Sequence, residues 1–202
     1  MTLSELKLKV RAILNESGED ESFTLISVDT VKLDDYIASV IPDAISFVLN
    51  QKIPRVYLPI GSVSSVTSSE DGCSIVSVPT DYIRFDACRL SGWKREVQEL
   101  GGELEYKINH NPITRAGVNK PACVMANNAS GKVIECFPSG ALVYFRYIKG
   151  IGTLQDTDQI PLNDRIIPSV CYAAAYLVYS IFENQTSSER MKAISIELLP
   201  NE

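Results

Sequence analysis

The side chains from which this chain could build a reaction centre are few: one histidine, five cysteines and a surplus of carboxylates. Nucleophilic catalysis needs a base beside the nucleophile, most often a histidine. His110 stands in "INHNPI", and the Asn and Pro residues around it are those of a loop, so a solvent-exposed loop histidine is expected. No Gly-x-Ser-x-Gly elbow is present. The cysteines (Cys73, Cys88, Cys123, Cys136 and Cys171) follow no Cys-x-x-Cys spacing. They do not supply a closed zinc site with local ligand spacing. They read instead as reduced thiols of a cytosolic protein, mostly buried as small hydrophobes.

The carboxylates are no more specific. Acidic groups occur at Glu19/Asp20/Glu21, Asp34/Asp35 and Asp156/Asp158. The "DTD" triplet lacks the EF-hand loop pattern and reads as a solvated acidic loop. Glu103 and Glu105, spaced i,i+2, are expected on one face of a strand as solvent-side charges. Gly150 to Thr153, "GIGT", is only a fragment of a phosphate-binding loop, and neither a Walker A motif nor a Rossmann fingerprint appears. Lys94-Arg95, with Trp93 and Arg89 nearby, forms the compact basic–aromatic cluster of the chain. Stacking with phosphate contact is one use for such a cluster. An aromatic turn anchor beside a solvated charged strand is the commoner one. No catalytic, cofactor-binding or metal-binding residue is expected, and the chain reads as a non-enzyme.

Composition narrows the classes further. Among 202 residues, 45% are hydrophobic and 22% charged, the balance of an ordinary globular protein. The formal charge of −6 argues against a dedicated nucleic-acid binder, which is expected to carry a basic excess. The N-terminus lacks the basic and apolar regions of a signal peptide, so the sequons at Asn128 and Asn184 carry no weight. Val170 to Phe182, the most apolar stretch, is shorter than the about 20 residues a bilayer requires, and no membrane association is expected.

The elements that would position these groups follow from periodicity. Thr2-Leu3-Ser4-Glu5 has the capping-box pattern, and Leu3, Leu6, Val10 and Ile13 or Leu14 recur at helical spacing up to Gly18 and the acidic run. A second helix from Asp29 or Thr30 carries an apolar stripe from Leu33 to Val48. Pro42 lies inside it and should kink or split it. "SVSSVTSSEDG", within Ser62–Gly72, reads as a hairpin tip or loop. The period then changes to two, predicting strands at 75–78, 82–90, 94–100, 104–108, 123–126, 133–137 and 142–148. Turns are expected at Ser91-Gly92, Gly101-Gly102, Asn127-Asn128, Ser130-Gly131 and Ser139-Gly140. In the 82–90 strand Ile83, Phe85 and Ala87 should face inward, and Tyr82, Arg84 and Asp86 outward, with Trp93 anchoring the following turn. A third helix over 164–183, capped by Asn163 or Asp164, is apolar nearly all round, which would draw part of its burial from a neighbouring subunit. A last helix, capped by Ser187 or Ser188, carries Met191, Ile194 and Leu198.

The expected fold is therefore α+β. An antiparallel β-sandwich or small barrel (56–155) is inserted between N-terminal helices (1–55) and C-terminal helices (160–202) that pack together into one helical module.

The order of these features resembles the head–tail connector proteins of tailed bacteriophages, also called adaptor, ring or gatekeeper proteins. The opening helix "LSELKLKVRAILNES" is similar to theirs, as is the second helix, ending near Asn50 and Pro54. The β-region opens through Val78-Pro79-Thr80-Asp81, later strands carry "GKVIECFPSGALVYFRYI", and the last helices follow the Ile160-Pro161-Leu162-Asn163-Asp164 step. The resemblance implies a structural virion protein, made in the host bacterial cytoplasm. It would assemble with itself as a ring, commonly of twelve copies, below the portal protein at the head–tail junction. A tail or second ring protein would dock beneath it, and genomic DNA would pass through without sequence-specific binding. Interface candidates on that reading are Tyr172, Tyr176, Tyr179, Arg84, Asp86, Trp93, Lys94 and Arg95. A β-sandwich module binding protein or carbohydrate, without catalytic activity, is the alternative.

Overall fold

Thr2 and Glu5 start the first helix reciprocally: the Glu5 N–H donates to Thr2 Oγ1 at 3.2 Å, and the Thr2 N–H donates to Glu5 Oε2 at 2.8 Å. We describe the protein from a computed structural model covering residues 1–16, 27–69, 72–129, 131–152 and 154–201, with backbone alone at 15, 16 and 27–32. The acidic run at 19–21 with Gly18, together with Glu70, Asp71, Ser130 and Thr153, lies outside the described residues. The chain is mixed helix and sheet and divides into two compact units, Met1–Pro59 with Gly150–Glu202, and Ile60–Lys149.

The first unit is helical. Helix α1 (Leu3–Glu16) buries Leu3, Leu6, Val10 and Leu14, and α2 (Ser27–Leu49) buries a stripe from Leu33 through Ile37, Ile41 and Ile45 to Leu49. Pro42 does not split α2. The helix runs on through it, and the Pro42 residue itself is exposed. Helix α4 (Ile167–Ile181) has Pro168 in its first turn and starts three residues later than the sequence predicts. Asn163 instead closes a turn by accepting the Arg165 N–H. Most of its apolar surface is covered by α1, α2 and α5 (Gln185–Glu197) of the same chain, while Tyr172 and Tyr176 stay half-buried and Ile181 is exposed. Helix α5 is capped by Asn184, whose Oδ1 accepts the Ser187 N–H, not by a serine. Its buried positions are Ser188, Met191 and Ser195, whereas Leu198 is exposed. The acidic loop ties back to α1: Lys7 Nζ reaches Asp156 Oδ1 at 2.6 Å, and the Asp156 carbonyl accepts the Ser4 N–H.

The second unit holds two antiparallel sheets. Strands β1 (Ile60–Val63), β7 (Leu142–Lys149) and β4 (Tyr82–Leu90) form one, in the order β1-β7-β4. Strands β2 (Thr67–Ser68), β3 (Ser74–Ser77), β6 (Gly131–Phe137) and β5 (Ala122–Asn128) form the other, in the order β2-β3-β6-β5. Both contribute to one core containing Val76, Phe85, Leu90, Trp93, Ile134, Phe145 and Tyr147. Part of the predicted Ser-rich loop is therefore strand: Ser62 and Val63 end β1, and β2 pairs with β3 around a tip closed by the Ser69 N–H to the Cys73 carbonyl. Asn127 and Asn128 belong to β5 rather than to the turn.

Two predicted strands are not strands. Residues 94–100 make only one bridge, Cys88 to Val97. Glu103–His110 is a helix, α3, because Glu105 Oε2 reaches back to accept the Gly102 N–H at the helix start and Lys107 pairs with Glu103 one turn on. The predicted in–out alternation of β4 also fails in part. Bulges shift its register, so Ala87 and Cys88 are both buried, and Tyr82 turns toward the core to stack on Tyr147 at 5.8 Å.

Candidate functional site

Hairpin register decides the chemistry of the β-unit. Strands β5 and β6 pair so that Cys123 lies directly opposite Cys136, and β4 brings Cys88 to the same place from the other sheet. The Cys123 and Cys136 sulfurs are 3.5 Å apart, those of Cys88 and Cys136 3.9 Å, and all three sulfurs lie within 4.8 Å of one another. None is more than 1% exposed. The hydrogen bonds that Cys88 receives from Cys123 and Cys136 draw its thiol down to about 5 against the effect of burial. The same bonds and burial push Cys123 well above its usual range. At Cys136 the Cys123 bond lowers the thiol, but the Cys88 bond and burial outweigh it. All five cysteines are free and buried. Their dispersal in sequence concealed the cluster, which follows from the β5–β6 register that sets Asn128 against Gly131 and Cys123 against Cys136.

A second cluster lies on the outer side of the β1-β7-β4 sheet. Arg146 stands over the Tyr144 ring at 4.3 Å, with its Nη2 3.4 Å from Glu96 Oε2 and its Nε 3.7 Å from Asp86 Oδ2. The Tyr144 hydroxyl donates to the same Glu96 carboxylate, and burial together with that bond raises the Tyr144 hydroxyl above its usual range. These contacts clamp the irregular 91–100 connection onto the sheet. His110 is not a loop residue. It ends α3, faces Glu135 of β6 with Nε2 and Oε2 2.8 Å apart, and rests on Tyr106 at 4.2 Å.

The predicted interface residues separate into two groups. Trp93 is 3% exposed and spends its indole N–H on the Pro138 carbonyl at 2.9 Å, so it anchors its turn and is closed to a partner. Tyr179 is likewise buried, its hydroxyl donating to the Leu14 carbonyl. Lys94 and Arg95 are exposed, whereas Arg84, Asp86, Tyr172 and Tyr176 are half-buried. Tyr176 packs beside Phe47 and under Lys192, and Asp86 faces Arg146.

Sequence reasoning missed the apolar side chains that are open to a partner. In the helical unit Tyr36, Ile181 and Phe182 are exposed, with the Tyr36 and Phe182 rings 5.5 Å apart. In the β-unit Leu104 and Ile108, one turn apart on α3, are exposed with Ile113 beyond them. No helix among the described residues is long and apolar enough to cross a membrane. No family model matches the chain, and no curated protein is similar to it in sequence.

Proposed function

We propose that this protein is the subunit of an oligomeric connector ring at the head–tail junction of a tailed bacteriophage, seated below the portal. The observation that carries this reading is that each unit presents exposed apolar side chains: the Tyr36–Phe182 pair with Ile181 on one, and Leu104 and Ile108, one turn apart on α3, with Ile113 on the other. A ring is closed by heterologous contacts, in which two different faces of each subunit meet. Two chemically apolar but unrelated patches supply two such faces. The order of helices, β-unit and helices supports the reading through the resemblance described above. The charge of −6 suits a channel wall past which DNA slides, because fixed phosphates are repelled rather than held.

The test is electron microscopy of the purified protein mixed with its cognate portal. Rings stacked on the portal are the expected result. Subunits that never dock would overturn the proposal. A monomer without portal does not bear on it, since such a ring can require its template.

A further inference from the structure

We propose that Cys88, Cys123 and Cys136 form a three-sulfur site for a soft d10 metal ion, Cu(I), which ties the two sheets of the β-unit together. The inference is independent of the ring reading. Geometry is its basis. With two sides of 3.5 and 3.9 Å and a third no longer than 4.8 Å, the circle through the sulfurs has a radius of about 2.1 to 2.4 Å. That range brackets the about 2.3 Å of a zinc–thiolate bond, the general scale of first-row metal–sulfur bonds. An ion at the centre reaches all three sulfurs without a strand having to move.

The donor set selects the ion. Sulfur alone favours a soft cation over magnesium, calcium or manganese. Structural zinc is four-coordinate, and among the described residues no histidine, carboxylate or further cysteine joins the trio. The near-zero exposure of all three residues leaves no place for water as a fourth ligand. Three sulfurs in a dry apolar core match an ion that is content with three-fold coordination. Binding Cu(I) releases one thiol proton to solvent, so one thiolate, two thiol sulfurs and one monovalent cation make a neutral site, as the apolar surround requires. Because Cys88 comes from one sheet and Cys123 and Cys136 from the other, the bound ion cross-links strands that otherwise meet only through packing. Burial also dictates loading: the ion enters while the unit is open, during folding.

The experiment unfolds the full chain and refolds it anaerobically with Cu(I) supplied in a weak ligand. Copper per chain is then measured, with X-ray absorption for the sulfur count and thermal melting for stability. The expected result is one copper per chain with three sulfur neighbours and a raised melting temperature. Cys123→Val, which keeps an apolar side chain of similar size, loses the copper and the shift. Cys171→Val, in the helical unit, retains both. Should Cys123→Val fail to fold, the sulfur count on the wild-type chain still decides. A refolded wild type without copper, copper with fewer than three sulfurs, or copper that Cys171→Val also loses would overturn the proposal. So would a Cys123–Cys136 disulfide in protein isolated under thiol-blocking lysis.

Discussion

Ser169 and Ser195 bind each other's backbone across the α4–α5 contact: Ser169 Oγ donates to the Ser195 carbonyl at 2.7 Å, and Ser195 Oγ donates to the Ser169 carbonyl at 2.9 Å. Neither is exposed to solvent. Each hydroxyl answers a carbonyl, and together with the Ser180–Ser188 hydroxyl pair nearer the helix turn, at 2.7 Å, they set the register of two helices whose remaining contacts are largely apolar. Ser169→Ala should cost about 1–3 kcal/mol, because it strands a buried polar group. The double variant Ser169→Ala/Ser195→Ala should cost less than the sum of the singles, by about 0.5–3 kcal/mol. Denaturant unfolding of the four proteins measures this. Additive losses would contradict reciprocal pairing.

Gly61 and Tyr147 explain why the β1 edge needs a glycine. They are cross-strand partners, and the Tyr147 ring lies so close over Gly61 that a Cβ there would overlap it. The ring is held from its far end by the hydroxyl, which donates to Asp81 Oδ1 at 2.9 Å. Gly61→Ala should therefore destabilise by about 1–3 kcal/mol, the usual cost of overpacking. In a Tyr147→Leu background most of that penalty should disappear. An equal penalty in both backgrounds would mean that the ring is not the obstacle.

How much of this was legible in advance depends on where the deciding interaction lies. The α1 cap and strand β4 were readable, because Thr2–Glu5 is a local pair and Ile83 to Ala87 alternates apolar and polar residues. Residues 103–110 were misread, because Leu104, Tyr106 and Ile108 satisfy period two as well as Leu104 and Ile108 satisfy a helical turn. The choice is made by the Gly102–Glu105 cap and by Asn109, which is buried while the apolar side chains are not. Asn109 donates to the Glu105 carbonyl at 2.7 Å and accepts the Ala116 N–H at 2.9 Å, so it pins α3 and the turn after it. Hydrophobic pattern cannot announce a helix whose buried residue is polar. The thiol cluster was hidden for a different reason. Separations of 13 and 48 residues become neighbours only through strand register and the pairing of two sheets, which no short motif records.

Tyr82 and Tyr147 give the β-unit an alkaline limit. Burial raises both hydroxyls from the usual value of 10 to about 12, at Tyr147 with help from its hydrogen bond to Asp81 and at Tyr82 against a backbone hydrogen bond. Above pH 10 the unfolded chain ionises these tyrosines, while the folded chain keeps their protons. The stabilisation is complete below pH 10 and is lost as pH rises through about 12. Between those values the unfolding free energy should fall with pH, with a contribution approaching two protons from this pair. Tyr147→Phe should remove about half of that contribution, leaving the slope below pH 9 unchanged. Tyrosinate absorbance provides the independent check, with Tyr82, Tyr147 and Tyr144 ionising late in the native protein, and all nine tyrosines ionising in step once it is unfolded. All nine titrating together in the folded chain would refute the assignment.

The ring reading is most exposed at its two patches, and each can be altered without touching the core. Leu104 is 67% exposed and Ile108 39%, so Leu104→Glu/Ile108→Glu replaces side chains that pack little within the subunit. Substitutions at such exposed sites usually change stability by no more than about 0.5 kcal/mol each. Glutamates on α3 are also good helix formers, so the helix should persist. Phe182→Ser tests the other face, losing the ring contact with Tyr36 at the end of α4. Closure of a ring requires both faces of every subunit, so either change alone should abolish assembly on the portal. Circular dichroism should show an unchanged fold, and electron microscopy should show bare portals. If both variants still stack as rings, the apolar patches are not the faces that close the assembly, and the observation carrying the proposed function is lost.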